Sequence, residues 1–198
     1  VPGRNPFAVI DGALKEIWCY GLRDPRRIEF DPFRDWLSIV DVGQGDIEEV
    51  NISELGGEHF GWDLCEGSYF YPPTEGDKPQ EGVIGPRAEF AKTEDRSVAG
   101  GFVYRGESFP SLRGKLVFAD SSGRLMASRT DGRGVLERLL VGNQVALNDE
   151  SIAGVRSGKM GELYILTGSG NIYELQKRIT AEEKPRRKKS RPLMALAF

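Results

Sequence analysis

The sequence is poor in cysteine and histidine, and it contains no long apolar run. Its 198 residues include two cysteines, Cys19 and Cys65, and one histidine, His59. Two cysteines cannot form a disulfide framework or a zinc knuckle, so they are either independent thiols or, in an oxidising compartment, a single bridge. No stretch approaches the roughly 18–20 apolar residues that a membrane-spanning helix requires. Length and composition indicate a folded domain with its own core and no membrane span.

Charge is distributed unevenly along the chain. The net charge is −3, from 27 basic and 30 acidic side chains. Residues 179–198 hold six of the basic and two of the acidic side chains, which leaves 21 basic and 28 acidic in residues 1–178. The acidic body argues against a nucleic-acid partner for the folded part. We expect residues 179–198 to be a disordered basic tail, with a nuclear-type address or an anionic contact as the other interpretation.

Short apolar–polar alternations recur between glycines. They include residues 27–30, 36–40, 101–104, 115–118, 124–127, 162–166 and 171–175. This pattern predicts many short antiparallel strands. No window carries the caps and apolar stripe of a helix. Residues 66–95, which contain four prolines, are expected to form a long surface loop.

The predicted strands fall into clusters at residues 16–53, 97–141 and 150–176. The last cluster is strand, tight glycine turn, strand, which is typical of the outer hairpin of a propeller blade. At about 40–50 residues per blade, this length corresponds to three to four blades. We therefore predict an all-β partial β-propeller over residues 1–178, followed by the separate tail.

Three motifs resemble those of a known family. They are residues 16–32 (EIWCYGLRDPRRIEFDP), residues 40–51 (VDVGQGDIEEVN) running on to 56–62 (GGEHFGW), and residues 98–106 (VAGGFVYRG) followed by 118–125 (FADSSGRL). Together they are similar to the glucose/sorbosone dehydrogenase family, six-bladed propellers that include soluble PQQ-dependent aldose dehydrogenases and the Hedgehog-interacting-protein group. The resemblance covers about residues 5–176 and implies the C-terminal part of a larger ring.

The resemblance implies one wall of a cofactor site at Arg23, Asp24 and Val42. A planar guanidinium suits the carboxylates and quinone oxygens of PQQ. The PQQ enzymes carry Asn where this chain has Asp24, and an acid there would face an anionic cofactor. The alternative for Arg23 is a local ion pair with Asp24 or a turn hydrogen bond. The family's general-base histidine lies in the other half, so no catalytic residue is expected here, and His59 is expected to be structural.

A calcium site is implied at the turn after residue 42. Gly43 and Gln44 match positions whose backbone carbonyls hold the cofactor's calcium, and carbonyl oxygens suit that hard cation. Glu49 matches a carboxylate at a structural calcium in some members. The alternative is a solvated acidic turn. Residues 120–123 and 151–154 lack the basic residues that the enzymes place there, which weakens a complete PQQ site.

Two functions follow from the resemblance. In the first, the whole protein oxidises a sugar or other small alcohol with calcium-bound PQQ and passes electrons to an acceptor. In the second, it is a non-enzymatic binding propeller of the Hedgehog-interacting type, with a protein ligand. Both imply a secreted or periplasmic location.

Overall fold

The computed structural model describes residues 3–71, 82–92, 97–131, 137–139 and 150–176, with residues 137–139 described by their backbone alone. The predicted basic tail, residues 179–198, lies outside these ranges. Two short 3₁₀ helices, Pro6–Val9 and Pro110–Leu112, accompany thirteen strands in the described residues. Nothing in this part of the chain forms a helix long and apolar enough to cross a membrane.

The first blade is a four-stranded antiparallel sheet. Its strands are β1 (Pro25–Asp31), β2 (Trp36–Asp41), β3 (Ile47–Ser53) and β6 (Ala88–Ala91), in that order. A small hairpin of β4 (Cys65–Glu66) and β5 (Tyr69–Phe70) lies in the connection between β3 and β6. The predicted loop at residues 66–95 was therefore wrong in part, because β6 completes the sheet by pairing Val50 with Ala88 and Ile47 with Ala91.

Two more antiparallel sheets follow. The second blade contains β7 (Val98–Val103), β8 (Lys115–Asp120), β9 (Leu125–Arg129) and β10 (Glu137–Leu139). The third blade has three strands, β11 (Ile152–Ser157), β12 (Leu163–Thr167) and β13 (Ile172–Glu174). In each blade the strands that follow one another closely in sequence pair directly, so tight turns replace long crossovers.

The blades pack face to face through two apolar clusters. Between the first and second blades lie Val40, Val42, Val50, Leu116 and Phe118 with their neighbours. Between the second and third blades lie buried residues that include Phe102, Tyr104, Val117, Ala119, Leu125, Val155, Leu163 and Ile165. The alternation along β8 explains this arrangement, since successive side chains of a strand point to opposite faces.

The first strands of the three blades lie side by side. Arg105, two residues after β7, binds buried Asp31 of β1, with Arg105 Nε 3.0 Å from Asp31 Oδ1. Arg156 Nε of β11 lies 3.5 Å from Glu29 Oε2 of β1. Three sheets arranged in this way around their first strands form part of a propeller ring, so the predicted all-β partial propeller is confirmed, with three blades in the described residues.

Candidate functional site

The loop that carries Arg23 is fixed to the first blade by a buried carboxylate. The backbone N–H of Arg23 donates to Asp41 Oδ2 at 2.8 Å, and that of Asp24 donates to Asp41 Oδ1 at 2.7 Å. Burial raises the pKa of Asp41, and the two N–H donors partly oppose this rise. Because Asp41 ends β2, the Arg23 loop is positioned by the sheet.

The guanidinium of Arg23 lies over the turn after β2. Its Nη1 donates to the carbonyls of Val42 and Gly43, both at 3.0 Å, and its Cζ lies 5.8 Å from the centroid of the Trp62 ring. Arg23 is an exposed residue. The structure therefore places Arg23 beside the Val42 and Gly43 carbonyls.

Asp24 pairs with Arg26. Arg26 Nη2 lies 2.8 Å from Asp24 Oδ2, and Arg26 Nε donates to the same oxygen at 2.9 Å. The hydrogen bond from Arg26 lowers the pKa of Asp24. Arg26, two residues further along the chain, therefore balances the charge of Asp24.

Gly43 is enclosed by its surroundings. A Cβ on this residue would lie 1.7 Å from the Ile47 carbonyl oxygen and 2.4 Å from Glu66 Oε1. Its carbonyl oxygen accepts from Arg23 Nη1 at 3.0 Å and from Lys92 Nζ at 2.8 Å. Gln44 is exposed, and its Nε2 donates to the Tyr71 hydroxyl at 2.9 Å.

A small cavity of about 10 Å³ lies beneath the Arg23 loop, with room for about one water molecule. Its lining includes Arg23, Asp41, Gly43, Glu49 and Glu66. Glu49 is 7% exposed and accepts from the Gly67 N–H and, at 3.1 Å, from Asn51 Nδ2. Burial raises the pKa of Glu49 to about 7.

The predicted site residues are brought together only in part. Arg23, Gly43 and Glu49 line the cavity, whereas Gln44 is not among its lining residues. Val42 buries its side chain in the first inter-blade cluster and offers only its carbonyl to Arg23. Lys92 was not predicted from the sequence, because it reaches Gly43 only through the pairing of β6 with β3.

His59 and Arg124, the residue that follows the 120–123 stretch, both make defined side-chain contacts. The ring of His59 stacks on Tyr20 with centroids 4.5 Å apart, and the backbone of His59 bridges to Tyr20 and Val83. Arg124 donates through Nε to buried Asp120 Oδ2 at 2.6 Å. Cys19 and Cys65 are not joined by a disulfide.

Comparison with known proteins identifies a family for this chain. A family model described as Glucose / Sorbosone dehydrogenase matches residues 1–174. The chain belongs to this family. Among curated relatives, the HIPL2 protein of Arabidopsis thaliana is 34% identical over 131 residues, covering 61% of this chain and 19% of that protein. The aldose sugar dehydrogenase YliI of Escherichia coli K12 is 26% identical over 183 residues, covering 90% of this chain and 48% of that protein.

Solved structures show the same architecture. A glucose dehydrogenase structure matches with a TM-score of 0.68 and 28% identity, over 90% of this chain and 51% of that one. The glucose/sorbosone dehydrogenase chain described here thus spans about half the length of the glucose dehydrogenase structure and of YliI, and about a fifth of the plant relative.

The raised pKa of Glu49 predicts a pH dependence of stability. In the native chain Glu49 holds its proton up to about pH 7, whereas the ordinary value is 4.5. Between these values the unfolded state binds fewer protons, so the free energy of unfolding falls as pH rises, by about 3 kcal/mol from this group. Glu49→Gln should remove this fall, as measured by urea unfolding at several pH values in EDTA. Parallel pH profiles for the two proteins would contradict the prediction.

Proposed function

We propose that this half-ring forms one wall of the cofactor pocket in a propeller whose whole protein oxidises a sugar or another alcohol with PQQ. The observation that carries the proposal is the fixed guanidinium of Arg23. Only its Nη1 is used by the Val42 and Gly43 carbonyls, and no described residue accepts from Nε or Nη2. An exposed guanidinium edge held in one place is suited to carboxylate or quinone oxygens.

Charge around Arg23 supports an anionic ligand. The Lys92 ammonium lies on the same Gly43 carbonyl as the Arg23 guanidinium, so two cations converge there. The acid that the sequence placed beside Arg23 is paired with Arg26, which lessens its repulsion of an anion. PQQ, when bound, would supply the hydride acceptor. The general base and the other wall would come from the other half of the ring.

The turn does not fit calcium at the Gly43 carbonyl. A carbonyl oxygen has two lone pairs, and here Arg23 and Lys92 both donate to it. Glu49 already accepts hydrogen bonds from Gly67 and Asn51. We therefore assign calcium no role at this carbonyl, and the proposed oxidation is argued from the arginine alone.

The test is a PQQ titration of the whole protein. We expect saturable binding, PQQ-dependent reduction of an artificial electron acceptor with aldose sugars, and weak or undetectable binding by the 198-residue chain alone. Arg23→Ala should weaken PQQ binding roughly 10- to 100-fold, the loss of a charge-assisted hydrogen bond of about 1.5–3 kcal/mol. The matched control is Arg129→Ala, which removes an exposed arginine paired with Asp131. Equal PQQ affinity in the unmodified whole protein, Arg23→Ala and Arg129→Ala would refute the role of Arg23.

A second candidate is a binding propeller without a cofactor. The chain is 34% identical to the HIPL2 protein over 131 residues and 26% identical to YliI over 183 residues. Residues 120–123 contain no basic side chain, and the next residue, Arg124, is already bound by Asp120. In that case the whole protein would bind no PQQ, and its loops would contact a protein ligand. Either function would place the protein outside the cytoplasm, in a secreted or periplasmic location.

A further inference from the structure

Lys92 is held in a defined position at the end of the first blade. Its backbone N–H donates to the Asp46 carbonyl at 2.6 Å, directly after β6. Its Nζ donates to the Gly43 carbonyl at 2.8 Å and lies 3.8 Å from Glu48 Oε1. The side chain is 29% exposed. Lys92 therefore lies between the turn after β2 and the start of β3.

Glu48 supplies the negative charge on the other side of this ammonium. Its side chain is fully buried, and its Oε1 has no hydrogen-bond partner among the described residues. Its Oε2 accepts from the Val98 N–H at 3.4 Å. A buried carboxylate requires a nearby cation or a proton, and Lys92 is the cation nearest to Oε1. A carbonyl oxygen and a carboxylate oxygen thus flank one positive charge.

We propose that the Lys92 ammonium is the resident cation of the Gly43 carbonyl and excludes a divalent cation from it. Hard oxygen atoms such as these are the ligands that Ca²⁺ prefers. Calcium could approach the Gly43 oxygen only by displacing Lys92, and it would still meet the guanidinium of Arg23 on the same atom. The inference does not depend on whether the whole protein binds PQQ.

Calorimetric titration with CaCl₂ tests the inference. It compares the wild-type chain, Lys92→Met, and Lys92→Arg, which keeps the charge and serves as the matched control. We expect Lys92→Met to gain a saturable calcium site. Any calcium binding by the wild type or by Lys92→Arg should be weak, with a dissociation constant near about 10⁻³ M, and Lys92→Met should bind at least roughly tenfold more tightly. The same number and affinity of sites in all three proteins, or no site in any of them, would overturn it.

A measurement on the wild type alone guards against a variant that fails to fold. Lys92 is acetylated with a limiting reagent, and its modification is quantified by mass spectrometry in EDTA and in calcium. We expect the same degree of modification in both, because calcium does not displace the ammonium. A several-fold increase at Lys92 in calcium, with exposed Lys159 unchanged as the internal control, would show displacement and overturn the inference.

Discussion

Gly43→Ala is expected to lower the free energy of unfolding by about 4 kcal/mol or more, among the largest effects of a single methyl group. The new Cβ would lie 1.7 Å from the carbonyl oxygen of Ile47, a backbone atom at the start of β3. A flexible side chain can move aside, but Ile47 is held in register by its pairing with Ala91 of β6. The turn must therefore distort, and the carbonyl that binds Arg23 and Lys92 moves with it.

The matched control is Gly85→Ala, measured by the same urea unfolding experiment. A Cβ at Gly85 would meet only Ser68 Oγ, at 3.9 Å, which is ordinary contact. We expect this exposed substitution to change stability by no more than about 1 kcal/mol, in either direction. Similar losses for the two variants would mean that the turn accommodates a side chain, and that Gly43 is not fixed as described.

Much of the fold could be predicted from the local pattern of residues. The alternations at residues 27–30, 36–40 and 115–118 all lie within strands of the structure. Burial differs among them, since Ile28 and Phe30 of β1 are more than half exposed whereas Leu116 and Phe118 of β8 are fully buried. β6 was missed for a physical reason. It is four residues long, follows a proline-rich stretch, and forms because β3 offers it an unpaired edge. Pairing across about forty residues leaves no short-range signal.

The residues of the candidate site that belong to a motif could be predicted from the sequence. Those that reach the site through long-range contacts could not. Arg23 and Gly43 belong to two of the three motifs that the resemblance rests on, and the structure joins them through a hydrogen bond. The sequence indicated an unfavourable acid at Asp24, yet Arg26 neutralises it only two residues away. Lys92 could not be found in this way, because its role depends on the position of β6.

The difference between residues supplied by a motif and residues placed by long-range contacts is relevant to function. Residues of the family motifs form the Arg23 loop and the turn after β2, whereas Lys92, which lies outside the motifs, supplies the ammonium on the Gly43 carbonyl. If both proposals hold, the same half-ring keeps a guanidinium available to an anion while a lysine occupies the place of a metal. Whether PQQ binds and whether calcium binds become separate questions, and the two titrations proposed above answer them independently.

Phe118→Ala is expected to cost about 3–5 kcal/mol of stability, since it removes a large side chain from a packed core. Phe118 is fully buried between the first two blades, and its ring stacks on Phe90 with centroids 5.7 Å apart. Val42, whose carbonyl accepts from Arg23, belongs to the same cluster. Urea unfolding should show this loss, whereas Leu55→Ala, at a side chain that is 74% exposed, should change stability by about 0.5 kcal/mol or less. Equal effects of the two substitutions would mean that this cluster does not join the blades, and the Arg23 loop would then need another source of rigidity.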